Sequence, residues 1–83
     1  MAKGALKDLE RVPKHITLKL DLWIRRVEEV GVEAVRTVKS YHDEPLKGNL
    51  RGCRSIRLNR SYRAIYAIRF EVIVVEEVTK HGY

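Results

Sequence analysis

The sequence lacks the features by which small chains are often cross-linked or anchored. Cys53 is the only cysteine in 83 residues, so neither an intramolecular disulfide nor a CxxC metal or redox motif is possible. No apolar run approaches the roughly 18 residues of a membrane span, and the N-terminus lacks the apolar stretch of a secretory signal. We therefore expect a cytoplasmic protein with no membrane partner, in which Cys53 is a small core residue.

Metal ligands are equally scarce. The three histidines are scattered, there is one cysteine, and no cluster of acidic residues suits magnesium. Motifs for a serine or cysteine nucleophile are absent as well. We therefore expect neither a metal site nor a cofactor, so that any catalysis would rest on acid–base and cationic side chains.

What the chain does contain is typical of a small globular protein. Apolar residues make up 45% of the sequence and charged residues 34%, which argues against a disordered tail or a fibre. At 83 residues the chain is too short for two hydrophobic cores. We expect one domain that spans residues 1–83.

Positive charge is concentrated in the middle of the chain. The formal net charge is +6, and residues 47–69 contain seven basic residues and no acidic one. Arginine is suited to planar, bidentate contacts with phosphate. The segment is thus typical of a nucleic-acid surface, of a surface that docks an acidic protein, or of a solvated basic face. Its members are Lys47, Arg51, Arg54, Arg57, Arg60, Arg63 and Arg69.

The spacing of apolar residues predicts helices in the first half of the sequence. A short helix is expected over residues 5–12, where Pro13 interrupts the pattern. The main helix is predicted over 16–30, with Gly31 following as its C-terminal cap, and a third helix over 32–40.

The second half begins with a connecting loop, residues 41–52, which contains two glycines and a proline. Three runs of β-forming residues follow, Cys53–Leu58, Tyr62–Ile68 and Val72–Val78, and their short links predict an antiparallel meander. Because the helices precede the strands, the expected fold class is α+β, with N-terminal helices packed on one face of a small antiparallel sheet.

Alternation along the strands predicts one apolar face and one mixed, basic face. Residues of a strand point to opposite faces in turn, so arginines three positions apart cannot all share a face. Arg57 and Arg63 can share the open, basic face, whereas Arg54 falls on the other face if the strand is regular.

Candidate acid–base groups flank this predicted sheet in the sequence. They are His42, Asp43 and Glu44 in the loop and Lys80, His81 and Tyr83 at the C-terminus. RNA carries its own nucleophile, the 2′-hydroxyl, so cleavage needs only a base, cations around the pentavalent phosphate and an acid for the leaving oxygen. The chain offers a candidate for each requirement.

The run EPLKGNLRGCRSIRLNRSYRAIYAI, residues 44–68, resembles the RelE/ParE superfamily of type II toxins and especially its YoeB-like and RelE-like mRNA interferases. An EPLK loop, a glycine, a strand with an arginine and a Y-R-x-I-Y-x-I strand precede a last strand that ends in His and Tyr. The resemblance covers roughly residues 5–83. It implies a metal-independent endoribonuclease that acts on messenger RNA at the ribosome and is inhibited by a cognate antitoxin.

The resemblance also implies a role for each matching residue. Glu44 corresponds to the general base for the 2′-hydroxyl and Arg63 to the arginine that stabilises the transition-state phosphate. His81 corresponds to the acid for the 5′-oxygen and Tyr83 to the tyrosine that orients the base or phosphate. The products would be a 2′,3′-cyclic phosphate and a 5′-hydroxyl. The residues expected to contact RNA are Lys47, Arg51, Arg54, Arg57 and Lys80.

Two features differ from the family pattern. Gly82 separates His81 from Tyr83, which are adjacent in the YoeB-like pattern. Family members usually open with a β-strand, whereas this sequence starts almost at the first helix. We therefore expect the first family strand to be missing and a sheet edge to be unpaired, open to an antitoxin or to a second copy.

Two other functions stay open beside the ribonuclease. A ParE-like protein would inhibit DNA gyrase by binding it, and it would not keep the Glu44 and His81 pair. A catalytically silent module would use the basic sheet to bind an antitoxin or ribosomal RNA. The expected assemblies are a homodimer or a toxin–antitoxin hetero-oligomer.

Overall fold

The computed structural model describes residues 1–80, in which helices are followed by a sheet. This order confirms the predicted α+β class. Among these residues, no helix is both long and apolar enough to cross a membrane. In chain order the elements are α1 (Lys3–Leu9), α2 (Lys14–Val30), α3 (Val32–Arg36), β1 (Glu44–Pro45), β2 (Cys53–Arg57), β3 (Tyr62–Arg69) and β4 (Val72–Lys80), with short 3₁₀ helices at Lys39–Tyr41 and Gly48–Leu50.

The helix ends follow local chemistry. Pro13 precedes α2, where its missing N–H costs no hydrogen bond. Gly31, at a φ of 87° that favours glycine, ends α2 and donates its N–H to the carbonyl of Val27 at 2.8 Å. The third helix is shorter than the predicted 32–40, since the Thr37 hydroxyl donates to the Ala34 carbonyl at 2.7 Å, a side-chain bond that competes with continued helix.

The hydrophobic core lies between the helices and one face of the sheet. The Trp23 ring of α2 and the Tyr66 ring of β3 are both fully buried, with their centroids 5.0 Å apart. Such aromatic pairs add to the burial of apolar area that drives folding. Other buried members of the core include Ala5, Ile16, Leu20, Val35, Ile56, Leu58, Ala64, Val75 and Val78.

The sheet has four strands in the order β1-β2-β3-β4, and each neighbouring pair is antiparallel. Strand β1 lies within the segment predicted to be loop throughout, so that prediction is wrong for Glu44 and Pro45. These residues pair with Ser55 and Arg54, and the Leu46 N–H then donates to the Cys53 carbonyl at 3.0 Å. Two residues, one of them proline, are too few to show an alternation of apolar and polar side chains. Strand β1 is recognised only by its pairing with β2.

The two faces of the sheet differ in what covers them. The helix face carries cross-strand pairs such as Arg54–Tyr66 and Ile56–Ala64, whose apolar members belong to the core. The other face, called the open face below, carries the alternate pairs Ser55–Ile65 and Arg57–Arg63. Arg57 and Arg63 therefore share one face and Arg54 lies on the other, as the alternation predicted.

The outer edge of β4 lies against α1. The Ala2 N–H donates to the Val75 carbonyl at 2.9 Å, and the Val78 N–H donates to the Asp8 carboxylate at 2.9 Å. No strand precedes α1 in the described residues, as expected. The expectation of an unpaired edge is nevertheless wrong at Val75 and Val78, because the first helix satisfies backbone groups that a neighbouring strand would otherwise bind.

Candidate active site

Glu44 and Arg63 meet on the open face. Glu44 lies opposite Ser55 across β1 and β2, which directs its side chain to the same face as Arg63 of β3. The Glu44 Oε1 and Arg63 Nη1 atoms are 3.9 Å apart, and the side chains are 62% and 20% exposed. The carboxylate is accessible to a ligand, and the guanidinium is held in the sheet beside it.

Two arginines face each other next to this pair. Arg57 is directly opposite Arg63 in the register of β2 and β3. Like charges in that position repel and destabilise a sheet. The Arg57 Nε is buried and makes no hydrogen bond to any of residues 1–80. A buried donor without an acceptor is costly, and an anion bound beside the two arginines would relieve their repulsion.

A tight hairpin holds the two arginines in register. The Leu58 N–H donates to the Tyr62 carbonyl at 2.9 Å, which closes the link between β2 and β3. The Asn59 Oδ1 accepts from the N–H groups of Ser61 and Tyr62 at 2.7 and 2.8 Å. Asparagine favours this kind of turn because its side chain mimics a backbone acceptor.

A shallow cavity of about 340 Å³ adjoins the Glu44–Arg63 pair. This volume is at the lower end of the range for ligand pockets, about 300 to 1,000 Å³. Apolar and charged side chains both contribute to it, so it suits a group with an apolar face and an anionic edge. The lining residues are Glu44, Leu46, Leu50, Ser55, Arg63, Ile65 and Thr79. Within residues 1–80, no group of three or more His, Cys, Asp or Glu side chains is placed to hold a metal ion.

Arg54 lies on the helix face, away from this cavity, in a network around Asp43. The Asp43 side chain is 1% exposed; its Oδ1 accepts from the Arg54 Nε and its Oδ2 from the Tyr66 hydroxyl, each at 2.6 Å. The Arg36 Nε donates to the Tyr66 oxygen at 3.5 Å. The four residues Asp43, Arg54, Tyr66 and Arg36 are called the Asp43 network below.

The network has electrostatic consequences for its members. The hydrogen bond to Asp43 is the main cause that raises the pKa of Arg54. Burial raises the pKa of Tyr66, and the hydrogen bond to Asp43 raises it further. Both residues therefore remain protonated donors to the carboxylate at neutral pH.

The other residues predicted to act on RNA are placed as follows. Lys47, Arg51 and Lys80 are exposed and lie outside the lining of the cavity, the first two beside the 3₁₀ turn after β1 and the last at the end of β4. His81 and Tyr83, the predicted acid and orienting tyrosine, lie outside the described residues.

Sequence reasoning missed the Asp43 network. In a polar loop such as the predicted 41–52, a solvated surface carboxylate is the usual outcome for an aspartate. Strand alternation gives no signal for Asp43, because residues 41–52 are predicted to be a loop. Ser55 and Thr79, which line the cavity, were also not predicted, and nothing distinguishes them from other strand hydroxyls.

Comparison with solved structures identifies the fold. The structure is similar to YafQ of E. coli, with a TM-score of 0.80 and 17% identity over 96% of this chain and 88% of that one. For a chain of the YoeB–YefM complex of Staphylococcus aureus the values are 0.74 and 23%, with 98% and 92% covered. For the YoeB/ParE toxin of Agrobacterium tumefaciens they are 0.75 and 21%, with 98% and 94% covered. No family model and no curated protein matches the chain.

The predicted resemblance is confirmed at the level of the fold, which is that of the YafQ, YoeB and ParE toxins of the RelE/ParE superfamily. YafQ forms a toxin–antitoxin complex with DinJ, and YoeB forms one with YefM. The fold by itself does not carry an activity, so function has to be argued from the site.

Proposed function

We propose that this chain, which has the fold of the RelE/ParE toxins, is the toxin of a type II toxin–antitoxin pair and an endoribonuclease. Its substrate is messenger RNA on the ribosome, and cleavage needs no metal ion. The observation that carries the proposal is an exposed carboxylate, Glu44, beside Arg63 on a face where Arg57 also lies. A carboxylate beside arginines supplies a base and cations, two of the three requirements for attack by the RNA's own 2′-hydroxyl.

The reaction begins at the carboxylate. Glu44 takes the proton of the 2′-hydroxyl, and the 2′-oxygen forms a bond to the adjacent phosphorus. The pentavalent phosphate that results carries more negative charge than the starting diester. Arg63 is positioned to stabilise that added charge, which makes its interaction stronger in the transition state than in the ground state.

The reaction ends when the bond from phosphorus to the 5′-oxygen breaks. The leaving oxygen takes a proton, for which the resemblance assigns His81, and Tyr83 orients the base or phosphate. The products are a 2′,3′-cyclic phosphate and a 5′-hydroxyl. Atoms and charge balance without a cofactor, because the proton lost at the 2′-oxygen is matched by the proton gained at the 5′-oxygen.

Substrate affinity rests on the basic residues. Arg57 lies opposite Arg63 on the open face, where its guanidinium contacts a backbone phosphate next to the one that reacts. Lys47, Arg51 and Lys80 are exposed and extend the positive surface, and Arg54 is assigned the same task by sequence alone. Phosphate contacts of this kind make binding strongly dependent on salt.

Regulation is assigned to a cognate antitoxin that covers the open face and shields Arg63. Support comes from the complexes of DinJ with YafQ and of YefM with YoeB, proteins with this fold. An acidic segment complements the basic face. A complex in which the antitoxin binds only the far sides of the helices, with Arg63 accessible, would contradict this mode of inhibition.

The test is single-turnover cleavage of messenger RNA on programmed ribosomes, with the new ends identified chemically. Glu44→Gln should slow cleavage by about 100- to 10,000-fold, the usual contribution of a general base, with little loss of affinity. His81→Ala should have an effect of the same order, and Arg63→Gln should also slow the chemical step.

Glu77→Gln is the matched control, because Glu77 is an exposed glutamate opposite Ile65 on the same face but outside the cavity. It should cleave at nearly the wild-type rate. Equal cleavage by wild type, Glu44→Gln and His81→Ala would overturn the catalytic assignment. Binding to ribosomes without new 5′-hydroxyl ends would indicate a silent binding module, and inhibition of gyrase without cleavage would indicate a ParE-like toxin.

A further inference from the structure

The Asp43 network is built around a buried carboxylate one residue before the proposed base. Two charge-assisted hydrogen bonds of 2.6 Å hold Asp43, one from Arg54 and one from Tyr66. Tyr66 is fully buried, and its ring contacts Trp23 in the core. Asp43 is thus tied to the hydrophobic core through Tyr66.

Asp43 cannot take part in the chemistry directly. Asp43, Arg54 and Tyr66 meet on the helix face, whereas Glu44 and Arg63 meet on the open face. Both carboxylate oxygens of Asp43 already accept hydrogen bonds, and the side chain is 1% exposed. A substrate on the open face does not reach it.

The network is nevertheless joined to the site by one peptide bond. Adjacent Cα atoms are about 3.8 Å apart, so an anchor at Asp43 limits where the backbone of Glu44 can lie. In the described residues, few other bonds restrain the backbone of Glu44. Strand β1 has two residues, and its proline cannot donate a ladder hydrogen bond. On the other side of Asp43, His42 has a φ of 45°, a conformation that persists only when its surroundings impose it.

We propose that Asp43 is a positioning residue, whose bonds to Arg54 and Tyr66 hold strand β1 so that the Glu44 carboxylate stays beside Arg63 on the opposite face. The proposal rests on the proposed ribonuclease function. Residues on the helix face would then position the base that acts on the open face. Arg36 supports the arrangement from α3 by donating to the Tyr66 oxygen.

The test compares Asp43→Asn with wild type in two measurements. Asparagine keeps the shape of the side chain, but it places an amide donor where one of the two donors now binds. At saturating programmed ribosomes, Asp43→Asn should lower the cleavage rate by about 100-fold and change the half-saturating concentration by less than about threefold, because a misplaced base affects the chemical step. Tyr66→Phe should act in the same direction with a smaller effect.

The second measurement reports on β1 without reference to activity. The Leu46 N–H, bound to the Cys53 carbonyl, should exchange with solvent about tenfold faster in Asp43→Asn because local opening of β1 becomes easier. The Leu58 N–H, bound to the Tyr62 carbonyl in the neighbouring hairpin, should keep its wild-type rate. Asp21→Asn, at an exposed aspartate of α2, is the matched control and should change neither measurement.

The possible results separate the two proposals. A wild-type protein that does not cleave RNA overturns the ribonuclease, and the exchange of Leu46 still shows whether Asp43 holds β1. Wild-type exchange at Leu46 in Asp43→Asn overturns the positioning role, as does faster exchange with an unchanged cleavage rate. If Asp43→Asn does not fold, Tyr66→Phe is measured in the same way, and the same two results overturn the proposal.

Discussion

The two faces of one sheet use arginine in opposite ways. On the helix face, the Nε of Arg54 donates to a buried carboxylate at 2.6 Å. On the open face, Arg57 lies opposite another arginine and keeps a buried donor without a partner in the described residues. The two residues are three positions apart in one strand, so strand alternation decides which becomes structural and which is available to a ligand.

This difference shows how a chain of this size combines stability with a charged site. The helix face contains the apolar core and satisfies its buried charge internally, which is the condition for burying a charge at all. The open face carries repulsion that a structure selected only for stability would avoid. Substitutions on each face test this difference between a stabilising face and a charged face.

The largest effect is expected at the centre of the helix face. Trp23→Ala should lower the free energy of unfolding by about 3 to 5 kcal/mol, because it removes a buried ring and leaves a cavity next to Tyr66. Small domains have total stabilities of about 5 to 15 kcal/mol, so the variant should be largely unfolded under mild denaturing conditions. Urea unfolding followed by far-UV circular dichroism measures this. A loss below about 1 kcal/mol would show that the core lies elsewhere.

The next effect separates the arginines of the two faces by stability. Arg54→Leu should destabilise the fold by about 1 to 3 kcal/mol, because it leaves the buried Asp43 without its charged partner. Arg57→Leu should be neutral or stabilising by a few tenths of a kcal/mol, because it removes a repulsion of like charges. Urea unfolding of both variants provides the comparison. Equal losses in the two variants would abolish the distinction between the faces.

A smaller effect separates the same residues by RNA affinity. Each phosphate contact contributes about one unit to the slope of log affinity against log salt, so Arg57→Gln should reduce that slope by about one. Fluorescence anisotropy with a short RNA at several salt concentrations measures it. Arg54→Gln tests the sequence-based prediction that Arg54 also contacts RNA. An equal reduction in both variants would mean that RNA reaches both faces.

The smallest effect is a pH dependence that belongs to the helix face. The pKa of Tyr66 is raised above its usual value of 10.0, so the protonated phenol stabilises the fold fully below about pH 10, and this contribution is lost as pH rises through the raised pKa. Tyr66→Phe removes the hydrogen bond to Asp43 and the long one from Arg36, at a total cost of about 1 kcal/mol, and also removes this alkaline loss. Urea unfolding of both proteins at increasing alkaline pH should therefore converge. Parallel curves would show that folding does not raise the pKa of Tyr66.

The sequence was sufficient to predict the features that depend on the spacing of residues along a helix or a strand. The helical stripe around Trp23 and the placement of Arg57 and Arg63 on one face follow from spacings of 3.6 or 2 residues, and the end of that helix follows from Gly31 as its cap. The resemblance to RelE/ParE toxins added Glu44 as the counterpart of the base. The structure places it beside Arg63, although its assignment as base stays a prediction.

The features that the sequence did not predict depend on contacts between distant residues. Strand β1 has only two residues, and Pro45 lowers its strand propensity, so it forms because β2 is beside it. Asp43 is buried because Tyr66, 23 positions away, places a donor at its carboxylate. No local pattern distinguishes such a residue from a solvated aspartate in a loop. The cover that α1 provides for β4 is a tertiary contact of the same kind.

The contact of α1 with the edge of β4 also affects solubility. Strand β4 contains the sequence VIVVEEV, and an apolar edge strand of this type pairs readily with other copies if its backbone is accessible. Asp8 and Ala2 bind two of its outward backbone groups, at Val78 and Val75. Without these contacts from α1, the same groups would be open to pairing with another strand. The first helix therefore blocks part of this edge against pairing with other copies.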